Sequence, residues 1–176
     1  MNIDGTAIPS VATFDQVSDY TVVTNGNRTI TFTDATTGTV LVSQTSLYQI
    51  NGIYTSIGYQ SASGPALLVL QDSNHTSTAQ GAIRFAKVAA GAASSVDVYV
   101  TSPGASLSGM AATFTGVTLG NSGQLYKVFA SGTYEVRETA SGSKTPLIDQ
   151  QITLGGGTST TILDNGTNAF LMLNDK

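Results

Sequence analysis

Ser94-Ser95-Val96-Asp97-Val98-Tyr99-Val100 decides the fold of this chain. Val96, Val98 and Val100 share one parity, Asp97 and Tyr99 the other. Strict two-residue alternation in β-branched residues predicts a strand with one face in a core and one in water. Just upstream, Ala82-Ile83-Arg84-Phe85-Ala86 alternates in the same way. Together they predict the opening strands of an all-β domain. The alanine-rich stretch from Ala86 to Ala93 is interrupted by Gly91 and too short to hold a helix alone, so it predicts a loop with at most one helical turn.

Towards the N-terminus, Pro9 and Gly5 punctuate a turn and a short edge strand ending in Ala12-Thr13-Phe14. Tyr20-Thr21-Val22-Val23 predicts a strand, and Asn25-Gly26 a turn. Thr29-Ile30-Thr31-Phe32-Thr33 alternates with Ile30 and Phe32 inward. Val40-Leu41-Val42 returns after Thr36-Thr37-Gly38, and Ile53-Tyr54-Thr55-Ser56-Ile57 follows Asn51-Gly52. Ala66 to Leu70 is apolar on both parities, which predicts a central strand or one covered on both faces. Gln71 to Gln80 is polar and without period, as a linker would be.

Beyond the opening pair of strands the first half comes again. Ala112-Thr113-Phe114 repeats Ala12-Thr13-Phe14, and Tyr126-Lys127-Val128-Phe129 repeats the segment at Tyr20. Tyr134 to Arg137 matches the Ile30 strand, Leu147-Ile148-Asp149-Gln150 matches Leu41 to Gln44, and Ala169 to Asp175 matches Ala66 to Asp72. Strands divided by turns in roughly 100-residue units predict two tandem immunoglobulin-like antiparallel β-sandwiches. Residues 1–74 form an incomplete repeat, 75–80 a linker and 81–176 a complete repeat. In the first repeat Met1 aligns near Thr101, so nothing corresponds to Ile83 through Val100. Three readings compete. The chain begins at an internal methionine, or another part of the chain fills the gap, or a second subunit supplies a strand beside a candidate acceptor groove at Phe14, Ile30 and Phe32.

The order Ile83-Arg84-Phe85, an alanine-rich loop, then Val-Asp-Val-Tyr-Val at Val96 to Val100 resembles a bacterial and archaeal exported family, Domain of Unknown Function 4397. Tyr126-Lys127-Val128 with Ser131-Gly132-Thr133-Tyr134-Glu135-Val136 is similar to its strand-turn-strand segment, and the strand ending Asn174-Asp175 to its closing strand. The resemblance covers residues 79–176, and 1–74 as a headless second copy. It implies a cell-envelope or secreted protein, often in tandem copies and sometimes lipid-anchored, and it carries over no catalytic residue. Ala90-Gly91-Ala92-Ala93 stands where the family has a proline-aspartate-alanine-proline loop, and the lipid-attachment cysteine is absent.

Composition agrees. Charged residues are only 10% of 176, so the polar surface must come from Ser, Thr, Asn, Gln and Gly, as suits an extracellular β-protein. A net charge of −4 with scattered Lys and Arg disfavours nucleic acid. No apolar run reaches the ~18–20 residues of a membrane span. No signal peptide precedes the polar Asn2-Ile3-Asp4-Gly5, so the expectation is the mature form of an exported protein, at the cell surface or outside the cell.

Chemistry is sparse. There is no cysteine, and the one histidine, His75, sits in the linker as a solvated residue rather than a base or ligand. Neither cofactor nor metal is expected. Asp15 and Asp19 lack the spacing of a calcium loop. Glu135 and Arg137 beside Val136, with Glu138 following, predict a solvated face with weak ion pairs. No carboxylate pair marks a glycosidase. Gly155-Gly156-Gly157 predicts a hairpin turn. Tyr48, Tyr54 and Tyr59 are candidate sugar contacts, with at least one of them in the core by parity. The expected function is a non-enzymatic extracellular or envelope module for structure or adhesion, self-associating or bound to another envelope protein. The alternatives are a filament or pilus subunit joined by strand donation, and a glycan-binding module.

Overall fold

Strands and turns alone make up the described part of the chain, residues 1–8, 16–74, 77–91, 93–122 and 125–175 of a computed structural model. Contacts divide it into two units, Met1–Asp72 and Ser73–Lys176. Among the described residues no helix is long and apolar enough to cross a membrane. Residues 88–91 are a loop without a helical turn, within the expectation for the alanine-rich stretch.

In the first unit, β1 (Asn2–Ile3), β2 (Thr6–Ala7), β3 (Gly26–Thr33) and β4 (Val40–Tyr48) form one antiparallel sheet in the order β2-β1-β3-β4. Asp4 and Gly5 both have positive φ, 50° and 82°, the geometry a two-residue hairpin needs. The Asp4 carboxylate holds that hairpin to β3, accepting from Thr29 N at 2.8 Å and Arg28 Nη1 at 3.0 Å. A second sheet is the ribbon β5 (Ile53–Ser61) and β6 (Gly64–Asp72). Ile30, Tyr48 and Leu67 form the buried centre, with Met1, Ile3, Phe32, Val42, Tyr54 and Val69 only half-buried around it. Leu67 and Leu70, on opposite parities of β6, are both buried, so that strand is covered on two faces.

The second unit is fuller. One sheet runs β13-β12-β8-β9, from β8 (Ser95–Thr101), β9 (Phe114–Thr118), β12 (Gly132–Ala140) and β13 (Pro146–Leu154). The other places β7 (Gln80–Lys87) between β14 (Ser159–Asp164) on one side and β10 (Asn121–Ser122) and β11 (Lys127–Ala130) on the other, with β15 (Phe170–Asp175) outside β14. All pairs are antiparallel except β7 with β14. Between the sheets, Ile83, Phe85, Ile162 and Phe170 meet Val96, Val98, Phe114, Val136 and Ile152 in one dry core.

Two ladders, one in each unit, share their register. Gly26 pairs with Tyr48 and Gly132 with Leu154; Ile30 pairs with Gln44 and Val136 with Gln150. A break in register falls between Phe32 and Thr33 in one unit and between Glu138 and Thr139 in the other, at the same offset. The head of the first unit is displaced from the sequence alignment. Ile3 lies opposite Ile30 as Val100 lies opposite Val136, so Met1 stands at the place of Val98, three residues before the expected Thr101.

Four other expectations change. Tyr20 to Val23 is not a strand, and Val22 is 99% exposed. Its counterpart at Lys127–Ala130 is a strand because it pairs with β7, and among the described residues no strand pairs with residues 20–23. Asp97 and Tyr99 do not face water: both are buried, under Ser141-Gly142 and Lys144. Arg137 and Glu138 are buried as well. Arg137 donates to Thr101 Oγ1 and the Ala105 carbonyl at 2.7 Å, while Glu138 shares the core parity of Val136. Gly155 to Gly157 joins β13 to β14 across the two sheets rather than within a hairpin. Gly156 packs so tightly on the Thr78 carbonyl that a Cβ would collide with it.

Two buried acids give opposite pH behaviour. Burial disfavours ionised Asp97, but hydrogen bonds from Gly142 N (2.9 Å), Gly116 N (2.8 Å) and Ser141 Oγ (2.8 Å), with Lys144 nearby, hold its carboxyl below the usual range. Its stabilisation is therefore present above the ordinary carboxylate pKa and is lost as pH falls through the native value. Asp97→Ala leaves two backbone donors without an acceptor and lowers urea-unfolding stability at pH 7 by about 2–4 kcal/mol, with the deficit shrinking in acid. Glu138 is pushed up to about 7, first by burial and then by Asp164, against the pull of Lys87. The cost of ionising it is absent below about pH 4.5, grows as pH rises towards 7 and is complete above. Glu138→Gln should raise stability at pH 8 by about 1–3 kcal/mol after allowance for solvent screening, and leave it unchanged at pH 4.5.

Candidate functional site

β5 and β14 are corresponding strands in very different surroundings. The ladders end on Ile53 with Asp72 and on Ser159 with Asp175, and 159 stands to 53 as 132 stands to 26. All six residues of β14 are buried, Ser159 through Asp164. In β5 none is: Ile53 to Ile57 are half-exposed and Gly58 is exposed. The difference has one structural origin. β14 is closed by β7 along Ser159↔Ala82 to Asp164↔Lys87, whereas among the described residues no strand pairs with the corresponding edge of β5. An open edge leaves a row of backbone donors and acceptors for water or for another strand.

A polar set accompanies that edge in both units. In the second, Tyr126 Oη and Thr161 Oγ1 donate to Asp175 Oδ2 at 2.5 and 2.7 Å. Arg84 of β7 enters this set. Its Nε and Nη2 lie 3.0 and 2.7 Å from Thr161 Oγ1, Nη2 lies 3.6 Å from Asp175 Oδ2, and the guanidinium stacks 4.6 Å from the centre of the Tyr126 ring. Burial, and the hydrogen bond to Asp175, push the Tyr126 phenol well up, so it stays a donor. In the first unit Tyr20 Oη and Thr55 Oγ1 donate to Asp72 Oδ2, each at 2.7 Å, and lie 3.2 Å apart. Tyr20, Thr55 and Asp72 thus match Tyr126, Thr161 and Asp175 one for one.

The candidate residues read from sequence fall around this edge rather than on it. Phe14 lies outside the described residues, as do Asp15 and His75. Ile30 is at the centre of the first core, 2% exposed, and so lines no groove. Phe32 packs its ring on Gly58 of β5, within 3.5 Å of where a Cβ would stand. The tyrosines do not share a face. Tyr48 and Tyr54 meet edge to face at 4.6 Å inside the unit, Tyr54 Oη accepting from Gln49 N at 3.0 Å. Tyr59 has the opposite parity on β5. No group of three or more potential metal ligands occurs among the described residues.

A family model described as a domain of unknown function, DUF4397, matches residues 1–99. The chain belongs to the DUF4397 family. The matched stretch takes in the whole first unit, crosses the boundary at Asp72, and runs through β7 to Tyr99 in β8; it includes Ile83-Arg84-Phe85 and the Val96 strand. No curated protein matches the sequence. In this DUF4397 chain the edge of β5 was missed by sequence reasoning, because alternation reports faces and not neighbours. The signal was present in the repeat: Thr55 and Asp72 sit at the offsets of Thr161 and Asp175.

Amide hydrogen exchange checks the contrast. Amides of Tyr54 to Gly58 should exchange at least about a hundredfold faster than those of Thr160 to Asp164 under native conditions. Equal protection would mean that β5 is closed in solution.

Proposed function

We propose that this DUF4397 protein is a non-enzymatic structural or adhesive module of the cell surface or extracellular space, and that its first unit is completed by a β-strand from a neighbouring polypeptide. The observation that carries the reading is the burial of β14 at every position against the exposure of β5 at the same places. In the second unit β7 and the first part of β8 fill the places that stand before β1 in the first. A strand laid on β5 would satisfy its edge and cover the half-buried Phe32, Tyr54 and Val69. The facing sheets of the second unit support an immunoglobulin-like plan for both units. Low charge and a hydroxyl-rich surface support an exterior location.

The filament reading follows from the same edge, since donated strands join subunits head to tail. A sugar platform gains no support from Tyr48 and Tyr54, whose rings are spent on the core.

The test adds a synthetic strand to the whole chain. A peptide with the sequence of β7, Gln-Gly-Ala-Ile-Arg-Phe-Ala-Lys, should raise the melting temperature of the first unit and slow exchange at Ile53 to Gly58 in a dose-dependent way. No shift in melting and no added protection at saturating peptide would overturn the acceptor reading.

A further inference from the structure

The inward face of the β7–β14 ladder ends in three ionisable side chains, where a core seldom holds any. Lys87 and Asp164 are partners in the parallel register, on the parities of Ile83, Phe85 and Ile162. Lys87 Nζ donates to Asp164 Oδ2 at 2.6 Å, and the two side chains are only 2% and 4% exposed. A nitrogen at that separation is near the reach of a near-attack arrangement, about 3–3.5 Å from the carbon it would bond. Asp164 Oδ1 accepts from Gly166 N at 3.0 Å. Both backbones are pinned: Val88 N donates to the Asp164 carbonyl at 3.0 Å, and Gly120 N to the Lys87 carbonyl at 2.9 Å. A Cβ at Gly91 would stand 3.3 Å from the amine, so that loop passes close above it. Glu138 approaches the pair from β12 of the facing sheet. It is buried, and among the described residues its Oε2 has no hydrogen-bond partner. Burial and the charge of Asp164 oppose its ionisation and Lys87 favours it, so its carboxyl keeps a proton up to about pH 7. An amine, a carboxyl carbon and a neutral acid able to give and take a proton are the groups that amide formation needs. Burial away from water favours the uncharged product over a desolvated ion pair.

We propose that Lys87 and Asp164 condense in the folded second unit into a side-chain amide bond, with Glu138 relaying the proton. Lys87 passes a proton to Asp164 Oδ2, and the nitrogen lone pair then attacks Cγ. Negative charge gathers on Oδ1, where the Gly166 N–H already donates. Glu138 protonates the Oδ2 hydroxyl as the Cγ–Oδ2 bond breaks, and takes back a proton from the nitrogen. An ammonium and a carboxylate become one amide and one water; nothing is oxidised or reduced, and no cofactor enters. At the corresponding places the first unit has Gly58 for Asp164 and Phe32 for Glu138, so the bond is confined to the second unit. It ties β7 to β14 covalently across 77 residues of chain, and tension between these strands meets a covalent bond as well as a ladder. The pH dependence of Glu138→Gln derived above belongs to the uncondensed chain, in which Glu138 faces the ion pair.

Denaturing mass spectrometry of the full chain, first incubated folded near neutral pH, reads the bond directly. The expected mass is that of the sequence less one water, and proteolysis should yield a branched peptide joining Lys87 to Asp164. A chain that keeps its full mass overturns the proposal. So does a water lost without the branched peptide, as imide closure at Asp4-Gly5 would give. Glu138→Gln keeps the size of the side chain but not its acid, and should slow condensation at least about a hundredfold, with native far-ultraviolet circular dichroism showing that the variant folds. Condensation at the wild-type rate in that variant overturns the relay assigned to Glu138. Lys87→Met should keep its full mass, and a loss of water there overturns the cross-link; should this variant not fold, the wild-type mass and branched peptide decide alone.

Discussion

The parallel ladder between β7 and β14 is what the finished unit depends on. It joins residues near position 80 to residues near position 160, so the chain between them is the crossover that a parallel pair requires. Closing so long a loop costs conformational entropy before any contact repays it. The return is large: Ile83 and Phe85 enter the core with no exposed area, Arg84 and Lys87 find their acids, and all of β14 is covered. β11 also owes its strand conformation to this ladder, because its hydrogen-bond partner is the other edge of β7. Taking one strand away in thought therefore exposes one neighbour and unpairs another, and that is the condition of β5 and of residues 20–23 in the first unit.

Much of this was legible before the structure. The repeat could be read residue by residue because turn glycines, alternation and the order of strands survive divergence. The ladders of β3 with β4 and of β12 with β13 share a register, down to the offset of one break. What alternation cannot report is the neighbour. Tyr20-Thr21-Val22-Val23 has the composition of a strand, yet a strand exists only where a second backbone meets its donors. Asp97 and Tyr99 have the parity of a wet face, but Gly116 of β9 and the β12–β13 turn carrying Ser141 and Lys144 cover that face and turn Asp97 into a staple. Glu138 reads as surface because acids usually are; it shares the inward parity of Val136 and is buried with it, near the Lys87–Asp164 pair. Ile30 and Phe32 were placed correctly as inward residues, and for that reason Ile30 could not also line an open groove.

The two units differ in a way that is itself informative. Their outer polar sets are the same, whereas their inner clusters are not. The Tyr–Thr–Asp arrangement has matching bonds in both units, while Phe32 and Gly58 stand at the places of Glu138 and Asp164 and pack on one another. Buried acids are costly without a paired cation, so Asp164 is tied to Lys87, whereas an aromatic ring on a glycine needs no such partner.

An exposed edge is usually a hazard that proteins blunt with charge, proline or a bulge. β5 carries none of these between Ile53 and Ile57: its side chains are Ile, Tyr, Thr, Ser and Ile, and the ladder with β6 is unbroken in register. Pro65 sits on β6, outside this stretch. The edge is therefore regular in register and free of charge, proline and bulge from Ile53 to Ile57, so its backbone donors and acceptors lie in an unbroken row.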